Sequence, residues 1–194
     1  MKKLLAILCF TFLLMGCKNQ EKKKEEHNHQ EAKISKEETK KKKPLSPHTS
    51  VMVMVGDAHI YIDYSSPGVR DRIIFGGLLA YDQVWQAGAH MATWIETNKD
   101  LQIEGKTLPA GKYGFFTIPS KDEWIVIFNS NWEQHGKDEY YKKDDILRFK
   151  VHPKISNEIT EHLEYKFNKI NNEDGSLSLA WEKVAINFNF KVKD

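Results

Sequence analysis

Within seven residues, His90, Trp94 and Glu96 bring together an imidazole, an indole and a carboxylate. The spacing of His90 and Glu96 matches the first histidine and the glutamate of a cupin metal motif. Such a motif would use them as ligands of a divalent ion, or as an acid–base pair in a hydrolase or isomerase. The second histidine of that motif would fall on Ala92, and residues 119–129, where the next ligand strand belongs, carry no histidine. Two ligands therefore stand where four are needed, so a metal at His90 and Glu96 is the weaker reading and no cofactor is assigned. On an extended strand starting near His90, residues 90, 92, 94 and 96 share one face, with Met91, Thr93 and Ile95 on the other. A face of this composition suits stacking on a sugar or another planar ligand, with hydrogen bonds at the rim. The plainer arrangement has Trp94 capping the core and the two polar groups exposed. Trp85, just upstream, belongs to the same candidate surface.

Other chemistries find less. No Gly-x-Ser-x-Gly turn offers a serine nucleophile, and Ser65-Ser66-Pro67 reads as a strand exit, because the residue before proline is held extended. Gly105-Lys106-Thr107 lacks the upstream glycine of a phosphate-cradling loop. Asp63, Glu96, Glu104 and Glu123 could pair as glycosidase carboxylates, but sequence sets no two of them at the required separation. Met52, Met54 and His48 contain soft ligands suited to Cu(I), yet their spacing departs from periplasmic copper carriers, and the methionines read as core.

The two cysteines, Cys9 and Cys17, both lie in the N-terminal export signal. Lys2 and Lys3 precede an apolar run at 4–15, too short to span a bilayer, which ends Leu14-Met15-Gly16-Cys17 like a bacterial lipobox. Residues 1–16 are thus expected to be removed and Cys17 to carry lipid, anchoring the chain to a membrane that it does not cross. The domain behind it then has no thiol for a disulfide, a nucleophile or a Cys-type metal site.

Residues 17–45 read as a disordered tether, since 18–43 hold ten lysines, six glutamates and almost nothing apolar. His27 and His29 in it lack a third ligand nearby. The whole chain is +2, but residues 44–194 hold 17 Lys and Arg against 21 Asp and Glu, a net −4. A mildly acidic domain does not present the concentrated basic face that nucleic acid requires.

The elements that must position these side chains are strands. Short runs at 51–55, 58–64, 73–75, 91–97, 101–104, 113–118, 124–128, 161–170, 176–181 and 184–192 are separated by Gly, Pro, Asn and Asp signals, with turns at Gly56-Asp57 and 171–175. About ten strands without sustained helical periodicity predict an all-β antiparallel sandwich of jelly-roll type in one domain, 46–194. Candidate helical pieces are limited to 67–72, 77–85 and 134–144. In the last strand Val184, Ile186, Phe188, Phe190 and Val192 should face the core.

Ser46-Pro47, Tyr64-Ser65-Ser66-Pro67, Arg72-Ile73-Ile74-Phe75-Gly76, Val84-Trp85, Gly88-Ala89, Ala92-Thr93, Leu108-Pro109-Ala110-Gly111-Lys112-Tyr113, Ile118-Pro119, Glu123-Trp124 and Ala180-Trp181-Glu182 run in order along 46–192. This string resembles the bacterial family catalogued as domain of unknown function 2911. The resemblance implies β-rich, exported, often lipid-anchored proteins of Gram-negative bacteria, without an established activity. It also brings Tyr64, Arg72 and Gln86 into the candidate set, so the expected ligand-binding residues are Tyr64, Arg72, Trp85, Gln86, His90, Trp94 and Glu96. In the family pattern an arginine often replaces Ser66, another replaces Gln86, and an asparagine replaces His90, so a shared pocket would carry less charge here. The expected product is a cell-envelope lipoprotein, held in the outer membrane through Cys17. It would bind a small polar, carbohydrate-like ligand, or serve assembly through another envelope protein.

Overall fold

Alternation of apolar and polar side chains divides the chain into two antiparallel sheets, seen in a computed structural model that describes residues 44–193. The signal peptide, Cys17, the two tether histidines and the tether up to residue 43 lie outside the described residues. The first sheet contains β1 (His48–Val55), β2 (Ala58–Ser65), β3 (Trp94–Thr97), β6 (Gly111–Ile118), β7 (Trp124–Asn129) and β8 (Asp145–Val151), in the order β1-β2-β3-β6-β7-β8. The second contains β4 (Leu101–Ile103), β5 (Lys106–Leu108), β9 (Lys154–Lys169) and β10 (Asp174–Val192), in the order β5-β4-β10-β9. Every ladder is antiparallel and neither sheet closes into a barrel, so the architecture is the expected sandwich.

The core fills from both inner faces. In β10 Ile186, Phe188, Phe190 and Val192 are buried while Asn187, Asn189 and Lys191 are exposed, as the period of two requires. Phe188 meets Phe115, Phe128 and Phe149 at centroid distances of 6.4, 6.3 and 5.0 Å, spanning the two sheets. β6 and β7 are buried on their outer faces as well. There Phe116 and Ile127 are covered by Val84, Ala92 and Tyr140 from the loops on either side.

Several sequence expectations are corrected. Residues 73–75 form a tight turn rather than a strand, closed by Leu79 N–H donating to Ile74 O at 2.8 Å. Strand β3 begins at Trp94, not near residue 91. The runs at 176–181 and 184–192 are one strand, β10, interrupted by register shifts between Ala180 and Val184. The helical pieces at 67–72 and 77–85 are irregular backbone, and 134–144 retains only a single 3-10 turn, Lys142–Asp144. Met52 and Met54 are 59% and 49% exposed, because the inward positions of β1 belong to Val51, Val53 and Val55.

Candidate functional site

The 28 residues that connect β2 to β3 build a depression with a tightly constrained backbone. Their path is set by backbone pairing. Leu163 N–H donates to Pro67 O at 3.0 Å and Val69 N–H to Glu161 O at 2.7 Å, tying the start of the connection to β9. Further on, Trp85 and Thr117 exchange backbone hydrogen bonds of 2.8 and 2.9 Å, tying its end to β6. Arg72 clamps the bend between these anchors, its Nε and Nη2 donating to Val69 O and Gly68 O at 3.0 and 2.7 Å.

The depression encloses about 300 Å3, and its walls include Arg70, Arg72, Leu78, Gln86, His90 and Ser46. Its floor is an indole pair. Trp85 stacks on Trp181 with centroids 5.7 Å apart and planes 24° apart, and Phe75 meets both rings edge-on at 6.0 and 6.1 Å. Trp181 reaches this position from the irregularity in β10, where Glu182 takes φ 56°; a bulge re-aims one side chain in this way.

Strain concentrates here. Of seven non-glycine residues with positive φ among the described residues, five line or adjoin the depression: Arg70, Asp71, Ala87, His90 and Glu182. Such conformations cost of order 1 kcal/mol or more each, and persist only where the surroundings over-determine them. At Ala87 the determinants are visible. Its buried carbonyl accepts from Thr93 Oγ1 at 3.0 Å and from Tyr165 OH at 2.6 Å, and Trp85 Nε1 donates to Gly88 O at 3.0 Å. Burial, and then the neighbouring Tyr64, hold the Tyr165 phenol well above its ordinary pKa, so it remains a donor. Gly88 has to be glycine, since a Cβ there would lie 2.5 Å from Thr93 Oγ1.

Two buried polar atoms lack a partner among the described residues, Thr117 Oγ1 and Trp181 Nε1. Both belong to neighbours of Trp85, one through the backbone bridge and one through the ring stack. An unpaired buried donor costs about 1–3 kcal/mol and calls for an explanation such as a bound water or ligand.

The expected site residues divide into three groups. Arg72, Trp85, Gln86 and His90 converge on the depression. Trp94 and Glu96 instead lie on the outer face of the first sheet, because the left-handed backbone of His90 (φ 63°) and the late start of β3 break the alternation that would have joined them. Tyr64 is buried, its ring edge-on to Tyr165 at 4.7 Å, and it borders a separate groove of about 580 Å3 with His48, Ser66, His162 and Glu164. Its phenol is raised in pKa, first by burial.

Glu96 is not in the wall that holds His90. Among the described residues no three or more His, Cys, Asp or Glu side chains are grouped to hold a metal ion. A third hollow of about 360 Å3, between β5 and β8, is bordered by one strained residue, Glu104, whose φ of 48° belongs to the Glu104-Gly105 hairpin turn. Thr93, Tyr165 and Trp181 were missed by the sequence reading. The available signal was the change of phase in β10, where Leu177, Leu179 and Trp181 alternate on odd positions and Val184 to Val192 on even ones.

A two-sheet sandwich with a pre-shaped depression over a tryptophan pair is the class of molecule that these observations define. The family model described as a protein of unknown function, DUF2911, matches residues 46–190, and the chain belongs to that family. No curated protein and no solved structure matches it.

Proposed function

We propose that the domain is a binding module for a small polar, carbohydrate-like ligand, seated over Trp85 between Arg72, Gln86 and His90. The observation that carries this reading is the gathering of five strained residues around one depression, because backbone strain held by dedicated hydrogen bonds pre-organises a site for which stability alone gives no reason. Trp85 and Trp181 are 4% and 1% exposed, so the indole pair is a packed base for the depression, and the neutral amide and imidazole at its rim suit the hydroxyl edges of a sugar. The Leu14–Cys17 signal supports an envelope lipoprotein held by lipid on Cys17, with outer-membrane sorting as its expected destination.

The test is a thermal-shift and tryptophan-fluorescence screen of the full chain against neutral and acidic sugars. The expected result is a saturable response weakened at least tenfold in Gln86→Ala and His90→Ala and kept in Glu96→Ala. A response unchanged in both of the first two variants would remove the depression from consideration.

A further inference from the structure

We propose that the outer face of the first sheet carries a second site, a cage for a small organic ammonium ion that Lys112 plugs in cis. Lys112 Nζ lies 3.4 Å from the centroid of Trp94 and 3.6 Å from that of Trp132, well inside the range at which an indole face attracts a cation. The two rings stand 6.1 Å apart at 60°, and Trp94 is braced by Tyr61, whose ring lies 5.2 Å from it. Two indole faces on one positive charge are an arrangement that recognises alkylammonium groups. None of these residues lines the depression described above.

The cage does not depend on its lysine. Trp94 is fixed by β3, paired with Asp63 on one side and Gly114 on the other. Trp132 is fixed by its own loop. Asn131 N–H donates to Asn129 Oδ1 at 2.9 Å, Asn131 Nδ2 to Glu139 O at 3.0 Å, and Gln134 N–H to Trp132 O at 3.2 Å. That loop lies directly on β6, where a Cβ at Gly114 would be 3.2 Å from Asn131 O and 3.3 Å from the Trp132 Cα. The absence of a side chain at Gly114 therefore admits the second indole. Lys112, by contrast, reaches the cage on a flexible four-carbon stem, and no ion pair joins it to a carboxylate among the described residues.

Charge around the cage favours a cation. Glu96 is the cross-strand partner of both Tyr61 and Lys112, and Asp63 accepts from Tyr61 OH at 3.2 Å. Basic groups on the same face besides Lys112 include His48, 2.7 Å from Asp63, and His59, two residues before Tyr61 on the outward side of β2. When the Lys112 ammonium swings out, two carboxylates remain beside an empty aromatic seat. A quaternary ammonium sheds its water more readily than a primary one, so it can compete for that seat.

Fluorescence titration of the full chain with tetramethylammonium chloride, against sodium chloride as the ionic-strength control, tests this. In Lys112→Ala, and in Lys112→Gln as a second unplugged variant, a saturable change is expected with a midpoint at least tenfold lower than in the parent. It should vanish when Trp132→Ala is added, while the thermal melt of each variant certifies folding. Traces that follow sodium chloride in both unplugged variants, or a response that survives the loss of Trp132, would overturn the proposal. Glycerophosphocholine separates a free organic ammonium ion from a lipid headgroup. Its phosphate should be repelled by Glu96 and Asp63, so binding equal to that of tetramethylammonium would overturn the assignment to a free organic ammonium ion.

Discussion

The Ala87 carbonyl offers a direct way to ask whether the depression is held in its strained form by hydrogen bonds. It is fully buried and accepts from two donors, Thr93 Oγ1 and Tyr165 OH. Thr93→Val and Tyr165→Phe each remove one hydroxyl with little change of shape, leaving the carbonyl with the other. Each single change should cost about 1 kcal/mol, and in a domain of this size lower Tm by roughly 2–4 °C. The double variant leaves the carbonyl buried without a partner, which adds about 1–3 kcal/mol beyond the sum of the singles. Tm should then fall by roughly 10 °C. The assay is urea unfolding of the four proteins in a double-mutant cycle, read by tryptophan fluorescence. Additivity within about 0.5 kcal/mol would refute the reasoning, because it would mean that the two hydroxyls do not converge on a shared, water-free acceptor.

Two further outcomes follow from the packing. Gly114→Ala drives a Cβ to 2.6 Å from a ring carbon of Phe116 as well as against the 131–132 backbone, so it should cost about 1–3 kcal/mol and lift Trp132 from the sheet, visible as a changed emission maximum. Burial, and then its hydrogen bond to Asp145, push the Tyr140 phenol up to about 12. Its folded value lies above its unfolded value, so its stabilising contribution is complete below pH 10, the ordinary phenol value, and is lost as pH rises toward 12. Unfolding free energies measured from pH 9 to 12 should therefore fall less steeply in Tyr140→Phe than in the parent.

Strands were legible where one face is core and the other water, as in β10, whose Ile186-to-Val192 alternation survives intact in the structure. The connection between β2 and β3 was not, because what shapes it is non-local. Tyr165 lies 78 residues from Ala87, and no period in the sequence announces that a phenol in β9 will hold a turn before β3. The same gap explains the misjudged face. His90 and Trp94 are four residues apart, which on an unbroken strand places them together, but a left-handed residue costs little to write in sequence and redirects everything before it. The outer-face cage escaped notice for a related reason, since Trp132 meets Trp94 only through the docking of its loop on Gly114.

The three positions at which the family resemblance implies a different residue, Ser66, Gln86 and His90, do not form one group in the structure. Ser66 Oγ donates to Leu163 O at 2.7 Å and is 6% exposed, so it fastens the connection to β9 rather than facing the depression. Gln86 and His90 do face it. The remaining permanent charge comes from Arg70 and Arg72, and two of the Arg72 donors are already committed to Gly68 and Val69 carbonyls. An arginine at position 86, the residue the family resemblance implies there, would place a guanidinium able to grip an anion in bidentate fashion, as glutamine cannot. On the proposed binding role, glutamine in place of such an arginine would shift the balance toward hydrogen bonding with hydroxyls, and the expected outcome of the sugar screen is a stronger response to neutral than to acidic sugars.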